Sequence, residues 1–277
     1  MPIVTISRGS MSGGQALAEC VASALQVPCV GREILVAAAA KIGVSAEMLS
    51  AKLETSPGLW DRFGSERGLY VAAVQAALAE LVAGGDVVYH GHAGHLLLRG
   101  LPAVVRVRLI APLPMRLRAV MERQRLKPDA ALAYIQKVDE GRSRWTRFLY
   151  NVDLTDPGLY DLVLSLESMS IRSACSVVTA TGKQPEFQVT EEVKRKLADF
   201  ALACRVRLAF ATQPASRGLE LAVKAESGVV TVTGDVPQAA RLASTSTRME
   251  QELRVIAAAV DGVQAVELSV RPFDPLG

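Results

Sequence analysis

Residues 6–18 read ISRGSMSGGQALA and follow the apolar opening MPIVT. The apolar run predicts a strand, and Leu17, Val21, Ala24 and Leu25 recur at helical spacing just beyond it. Between the two lie Gly9, Gly13 and Gly14. A strand that feeds a glycine-rich turn and then a helix aims several backbone N–H groups, and the helix dipole, at one point. An anion belongs there. The candidate binding residues are therefore Arg8, Gly9, Ser10, Ser12, Gly13, Gly14, Gln15 and Ala16.

Gly9, four residues, Gly14, then Gln15 and Ala16 is the phosphate-loop spacing G-x-x-x-x-G-K-[ST] with its last two positions changed. In a complete motif the lysine reaches the β- and γ-phosphates and the hydroxyl ligates magnesium. Gln15 gives up a full positive charge, and Ala16 gives up a metal ligand. Arg8, just ahead of the loop, is one candidate for a replacement cation.

The chain has 277 residues, half of them hydrophobic, enough for one large domain or two smaller ones around a sizeable core. A net charge of +3 with mixed signs and only 5% aromatic residues gives neither a basic block nor a stacking ladder. A nucleic-acid polymer is not the expected partner. No stretch approaches the ~18 uninterrupted apolar residues of a membrane span, and the opening has no leader pattern, so a cytoplasmic protein is expected. Cys20, Cys29, Cys175 and Cys204 show no short paired spacing and read as buried free thiols rather than disulfide partners or metal ligands.

Over the first two-thirds of the chain, the apolar runs PIVTI, VPCV, DVVYH, VVRVRLIA and YDLVLSL alternate with amphipathic stretches. That alternation predicts an α/β fold, a parallel sheet with helices on both faces and ligands at the carboxyl ends of the strands. Helices are expected over about 170–181 and from about Thr190, where Val193, Leu197, Phe200, Cys204 and Leu208 share one face. Past Ala211, GLELAVKAESGVVTVTGDVPQ predicts a hairpin turning at Ser227 and Gly228, followed by a helix and a last strand in VQAVELSV. The expected division is 1–189 for the α/β domain and 190–277 for a small α+β domain. The apolar stretch from Gly58 to Gly84 predicts a long helix able to bury against a partner.

The run TISRGSMSGGQALAECVASALQVPCVGREIL resembles the start of the cytidylate-kinase-like proteins, P-loop phosphotransferases of the nucleoside monophosphate kinase type. The similarity continues through VVYHGHAGHLLLRGLPAVVRVRLIAPLPMRLRAVMER and YIQKVDEGRSRWTRFLYNVDLTDPGLYDLVLSL, covering about residues 1–182. It implies a core parallel sheet with a lid, ATP as donor, Mg2+ if the protein is active, and a nucleoside monophosphate such as CMP as acceptor. In the lid segment the family's basic and Tyr-Asp positions fall on Lys137, Asp139, Arg142, Arg144, Arg147, Tyr160 and Asp161. The resemblance implies phosphate contacts, and so catalytic roles, for Arg142 and Arg144, and substrate contacts for Arg32, His92 and Arg147. Ordinary helical ion pairs, Asp139 with Arg142 and Glu140 with Arg144, are the alternative reading of the same residues.

His90, His92 and His95 all fall in HGHAGH. No Cys, Asp or Glu lies close by to complete a zinc site, so hydrogen-bonded structural histidines at a strand end are expected, and no metal site. His92 stands where the family carries an arginine, and Gly31 stands where it often carries an acid. With the altered loop these departures leave a second expectation open, a nucleotide-sensing or scaffold protein without turnover. The segment ELAVKAESGVVTVTGDVPQ through VDGVQAVELSV resembles a BON domain, which implies a protein or lipid partner.

Overall fold

The computed structural model describes residues 1–31, 64–91, 93–237 and 243–273. Strands β1 (Ile3–Arg8), β2 (Cys29–Gly31), β3 (Val87–His90), β4 (Val104–Ile110) and β5 (Leu162–Ser165) form one parallel sheet in the order β2-β3-β1-β4-β5. These are the five apolar runs of the sequence. β1 is central, with Ile6 level with His90 on one side and Val107 on the other. Its carboxyl end therefore opens where the chain order reverses, the usual ligand crevice of such a sheet.

Helix α1 (Gly14–Leu25) follows the glycine turn, and α2 (Gly64–Val82) precedes β3. Helix α3 (Gly94–Leu97) links β3 to β4, and α4 (Leu113–Gln124) and α5 (Pro128–Tyr150) fill the chain between β4 and β5. After β5 comes α6 (Ile171–Gly182), whose N-cap Ser170 accepts from the Ser173 amide. Val4, Ile6, Val105, Val107 and Leu109 pack with Leu17, Val21, Ala174 and Val178 of α1 and α6 in one apolar core. Alternate positions of the same strands, Thr5 and Ser7 of β1 with Arg106 and Arg108 of β4, turn to the other face.

Cys20 of α1 and Cys175 of α6 are joined by a disulfide, with Cα atoms 6.0 Å apart. This corrects the expectation of four unbridged thiols; Cys29 and Cys204 are not in a disulfide. The two helices lie side by side on the sheet, an adjacency that a separation of 155 residues conceals. Burial pushes the Cys204 thiol up to about 11.

The contacts divide the chain into one compact unit of residues 1–59 and 85–193 and a second of 60–84 and 194–277. In the second, α7 (Glu191–Thr212) is followed by β6 (Leu221–Glu226), β7 (Val229–Pro237), α8 (Ala243–Ala258) and β8 (Ala265–Phe273). β6 and β7 are an antiparallel hairpin turning through Ser227 and Gly228, both at positive φ, and β7 pairs parallel with β8. Val223, Val230, Val232 and Leu253 form its core with Leu202, Val206 and Phe210.

The long apolar helix expected from Gly58 is described from Gly64, and it finds its partner within the chain. Ala76 and Ala79 of α2 pack with Ala201 and Cys204 of α7, and Glu80 pairs with Arg205 at 2.5 Å.

Candidate functional site

The glycine turn leaves the central strand at Gly9 and enters α1 through Gly13, which caps the helix at φ 76°. A side chain at Gly14 would place its Cβ 1.9 Å from Cδ of Arg8. The bare position lets Arg8 lie across the start of α1, so a guanidinium reaches the helix end that favours anions. Gln15 does not replace the lysine, because its side-chain amide donates to Glu19 at 2.9 Å along the same helix and is exposed. Ala16 is exposed as well, while Ser10 and Ser12 are buried within the turn.

Above the turn stand α4 and α5. Arg116 of α4 donates through Nε to the carbonyl of Ser10 at 2.7 Å and forms an ion pair with Asp139 of α5. Asp139 in turn accepts from the Ser10 amide at 2.8 Å. Arg142, one turn further along α5, donates to the Arg8 carbonyl at 3.2 Å. Apolar packing fixes the same arrangement: Met11 of the turn sits against Val120, Ala131 and Ile135 of the two helices.

A cavity of 390 Å³ opens among these groups. Arg8, Arg108, Arg116 and Arg142 contribute cations to its wall, Asp139 and Glu140 contribute carboxylates, and Leu109 to Ala111 form an apolar side. Guanidinium forks and backbone amides around one space suit a phosphate-bearing ligand.

Arg108 reaches the cavity from β4, held by donation to the Leu154 carbonyl at 2.5 Å and lying 5.6 Å from the centroid of the Tyr160 ring. Behind Tyr160 lies His95, with ring centroids 4.7 Å apart. His95 is 3% exposed, and neither ring nitrogen has a hydrogen-bond partner among the described residues. Burial, and secondarily the charges of Arg106 and Arg108, push it down to about 4, so the imidazole is neutral. Arg106 holds Asp161 through Nε at 3.0 Å and a terminal nitrogen at 2.6 Å. Burial alone would raise the Asp161 carboxyl, but hydrogen bonds from the Arg106 side chain and amide outweigh it and the carboxyl ends lower.

A family model described as the cytidylate kinase-like family matches residues 3–168, which hold the turn, the arginine-lined cavity and all five parallel strands. The chain belongs to the cytidylate kinase-like family. The chain is similar to a protein named cytidylate kinase from Pyrobaculum neutrophilum, 29% identical over 178 residues, or 64% of this chain and 90% of the relative. A protein of the same name from Methanothrix thermoacetophila is 26% identical over 180 residues, or 64% of this chain and 96% of the relative. An uncharacterized protein from Eubacterium ventriosum shares the fold, with a TM-score of 0.53, 16% identity, and coverage of 66% of this chain and 99% of that one.

Of the side chains singled out from the family resemblance, Arg142 lines the cavity. Arg144 instead forms an ion pair with Glu140 on the surface of α5, the ordinary helical pairing, and Arg147 lies 3.9 Å from Asp153, 67% exposed. Arg32 and His92 lie outside the described residues. The expectation of hydrogen-bonded histidines at a strand end is corrected at His95. It sits in α3 rather than in an extended segment, and neither ring nitrogen has a hydrogen-bond partner among the described residues. Among the described residues no three His, Cys, Asp or Glu gather to hold a metal ion.

Sequence reasoning missed Arg108 and Arg116. The signal for Arg108 was present: in VVRVRLI, arginines at every second position mark a strand with one polar face.

Proposed function

We propose that this chain binds a nucleotide through the turn from Gly9 to Ala16 and transfers a phosphoryl group from ATP to a small acceptor, a nucleoside monophosphate such as CMP. The observation that carries this reading is the convergence of Arg8, Arg108, Arg116 and Arg142 on one cavity at the mouth of the glycine turn. Phosphoryl transfer asks a protein mainly for position and for positive charge around the moving group. Arg116 is the replacement for the missing lysine, with Arg8 beside it at the helix end. These groups fit a polyphosphate. Magnesium would take its place mainly on phosphate and water oxygens, since Ala16 has no side-chain hydroxyl to offer.

Two observations favour a second reading, nucleotide sensing or scaffolding without turnover: Gln15 is turned to Glu19, and a carboxylate rests on the Ser10 amide. The two readings part in a coupled assay for ADP production with CMP, UMP and dCMP, run beside an ATP titration with and without magnesium. Turnover that falls at least about tenfold in Arg116→Ala supports the first reading. Magnesium-independent ATP binding without turnover supports the second, and no nucleotide binding at all sinks both.

The order of helix, hairpin, helix and strand over 191–273 supports reading that part as a BON-like module for a protein or lipid partner. Flotation with anionic and neutral vesicles separates the two partner classes. Among the described residues no helix is long and apolar enough to cross a membrane, and a cytoplasmic location goes with the kinase reading. The thiol pool of a cytoplasm would then bear on the Cys20–Cys175 bond.

A further inference from the structure

The Ser10 backbone is gripped on both sides of its Cα. Its amide donates to Oδ1 of Asp139 at 2.8 Å, and its carbonyl accepts from Nε of Arg116 at 2.7 Å. Arg116 closes the triangle through its ion pair with Oδ2 of Asp139. Arg116 is mostly withdrawn from water, with 14% of its side chain exposed, and Asp139 is partly open to it, with 33% exposed. Chemically the carboxylate does what a phosphate oxygen would do in a glycine turn: it is an anion that accepts from a loop N–H and neutralises the nearest guanidinium.

One N–H and one fork cannot serve two anions at full strength. We propose that Asp139 is a built-in competitor for the phosphate-binding turn, a latch by which α5 holds the loop closed until a polyphosphate takes both the Ser10 amide and the Arg116 fork. The proposal rests on the nucleotide-binding reading above and assigns that site its regulation. Nucleotide entry is then an exchange of anions at the Ser10 amide and the Arg116 fork. Two structural alternatives predict the opposite sign. If Asp139 merely fastens α5 to the turn, or aims Arg116 at a bound phosphate, removing it weakens anion binding.

The test is calorimetric titration of the full chain with inorganic tripolyphosphate and with ATP, in the wild type, Asp139→Ala and Asp139→Asn. Asp139→Asn keeps the shape and one acceptor for the Ser10 amide, so it carries the test if Asp139→Ala fails to fold, as thermal melts will report. The latch predicts that both ligands bind about tenfold tighter once the carboxylate is gone, the scale expected when a charged competitor is removed. Unchanged or weaker binding in a folded variant, with the wild type still binding ATP, overturns the latch and leaves the nucleotide reading standing. Binding by the variants alone supports the latch strongly. Binding by none of the three overturns both.

Discussion

The two faces of the parallel sheet are built from alternate residues of the same strands, yet they do different work. Toward α1 and α6 the strands present Val4, Ile6, Val88, Val105, Val107 and Leu109, all nearly inaccessible to water. On the opposite side stand Thr5, Ser7, Arg106 and Arg108, with His95 and Tyr160 close by. Burial of apolar area stabilises the first face without direction. The second holds polar groups whose cost is met one hydrogen bond at a time, as with Asp161 on Arg106, or not met among the described residues, as at His95. Stability and chemistry are thus separated by the pleat of a single sheet.

The hardest test of that separation is to cut the staple on the apolar side. Cys20→Ser with Cys175→Ser, or reduction of the wild type, should cost roughly 4 kcal/mol of unfolding free energy, because the bond closes a very long loop in the unfolded chain. Urea titration reads the loss directly. A change below about 1 kcal/mol, outside the usual range for such a bond, would show that the apolar face holds together without it.

A somewhat smaller effect belongs to the polar side. His95 is neutral in the fold, with its proton affinity pushed down to about 4, whereas in the unfolded chain it takes up a proton near 6.5. Between those values the unfolded state binds more protons, so stability rises with pH across the window, is complete above 6.5 and falls away as pH drops toward 4. The swing amounts to about 3 kcal/mol. Denaturant midpoints across pH 4–7 for the wild type and His95→Phe check it. The variant should lose most of the slope, and an equal slope in both would move the polar burden elsewhere.

Smallest of the three is Ser170→Ala, which removes the cap of α6 and should cost about 1 kcal/mol while leaving the pH profile of the polar face untouched. A Tm shift with unaltered pH slope sharpens the contrast; an altered slope blurs it.

Much of this architecture was legible in the sequence. All five parallel strands coincide with apolar runs, and the hairpin at Ser227 and Gly228 follows from a turn pair set between alternating residues. Such signals are local, and a strand carries its own periodicity. What stayed hidden depends on residues distant in the chain. Asp139 reads as a helical partner for Arg142 three positions on, but its partners are Arg116 and Ser10, brought to it by the turn between α4 and α5 and by the loop itself. Arg116 in PLPMRLRAVMER is indistinguishable from its solvated neighbours until α4 is laid over Gly9. The Cys20–Cys175 bond was hidden for the same reason, since no spacing rule joins residues 155 apart.

β1 is bonded along both edges, to β3 and to β4, and its residues from Pro2 to Ser7 are buried. The backbone that meets a ligand therefore starts one step beyond the best-shielded rail of the molecule. An anchor so stiff cannot drift to accommodate its guest, so whatever adaptation occurs at this mouth must come from the opposite jaw, the paired helices overhead. Evolution can retune that jaw by changing side chains on α4 and α5 while the rail beneath keeps its shape.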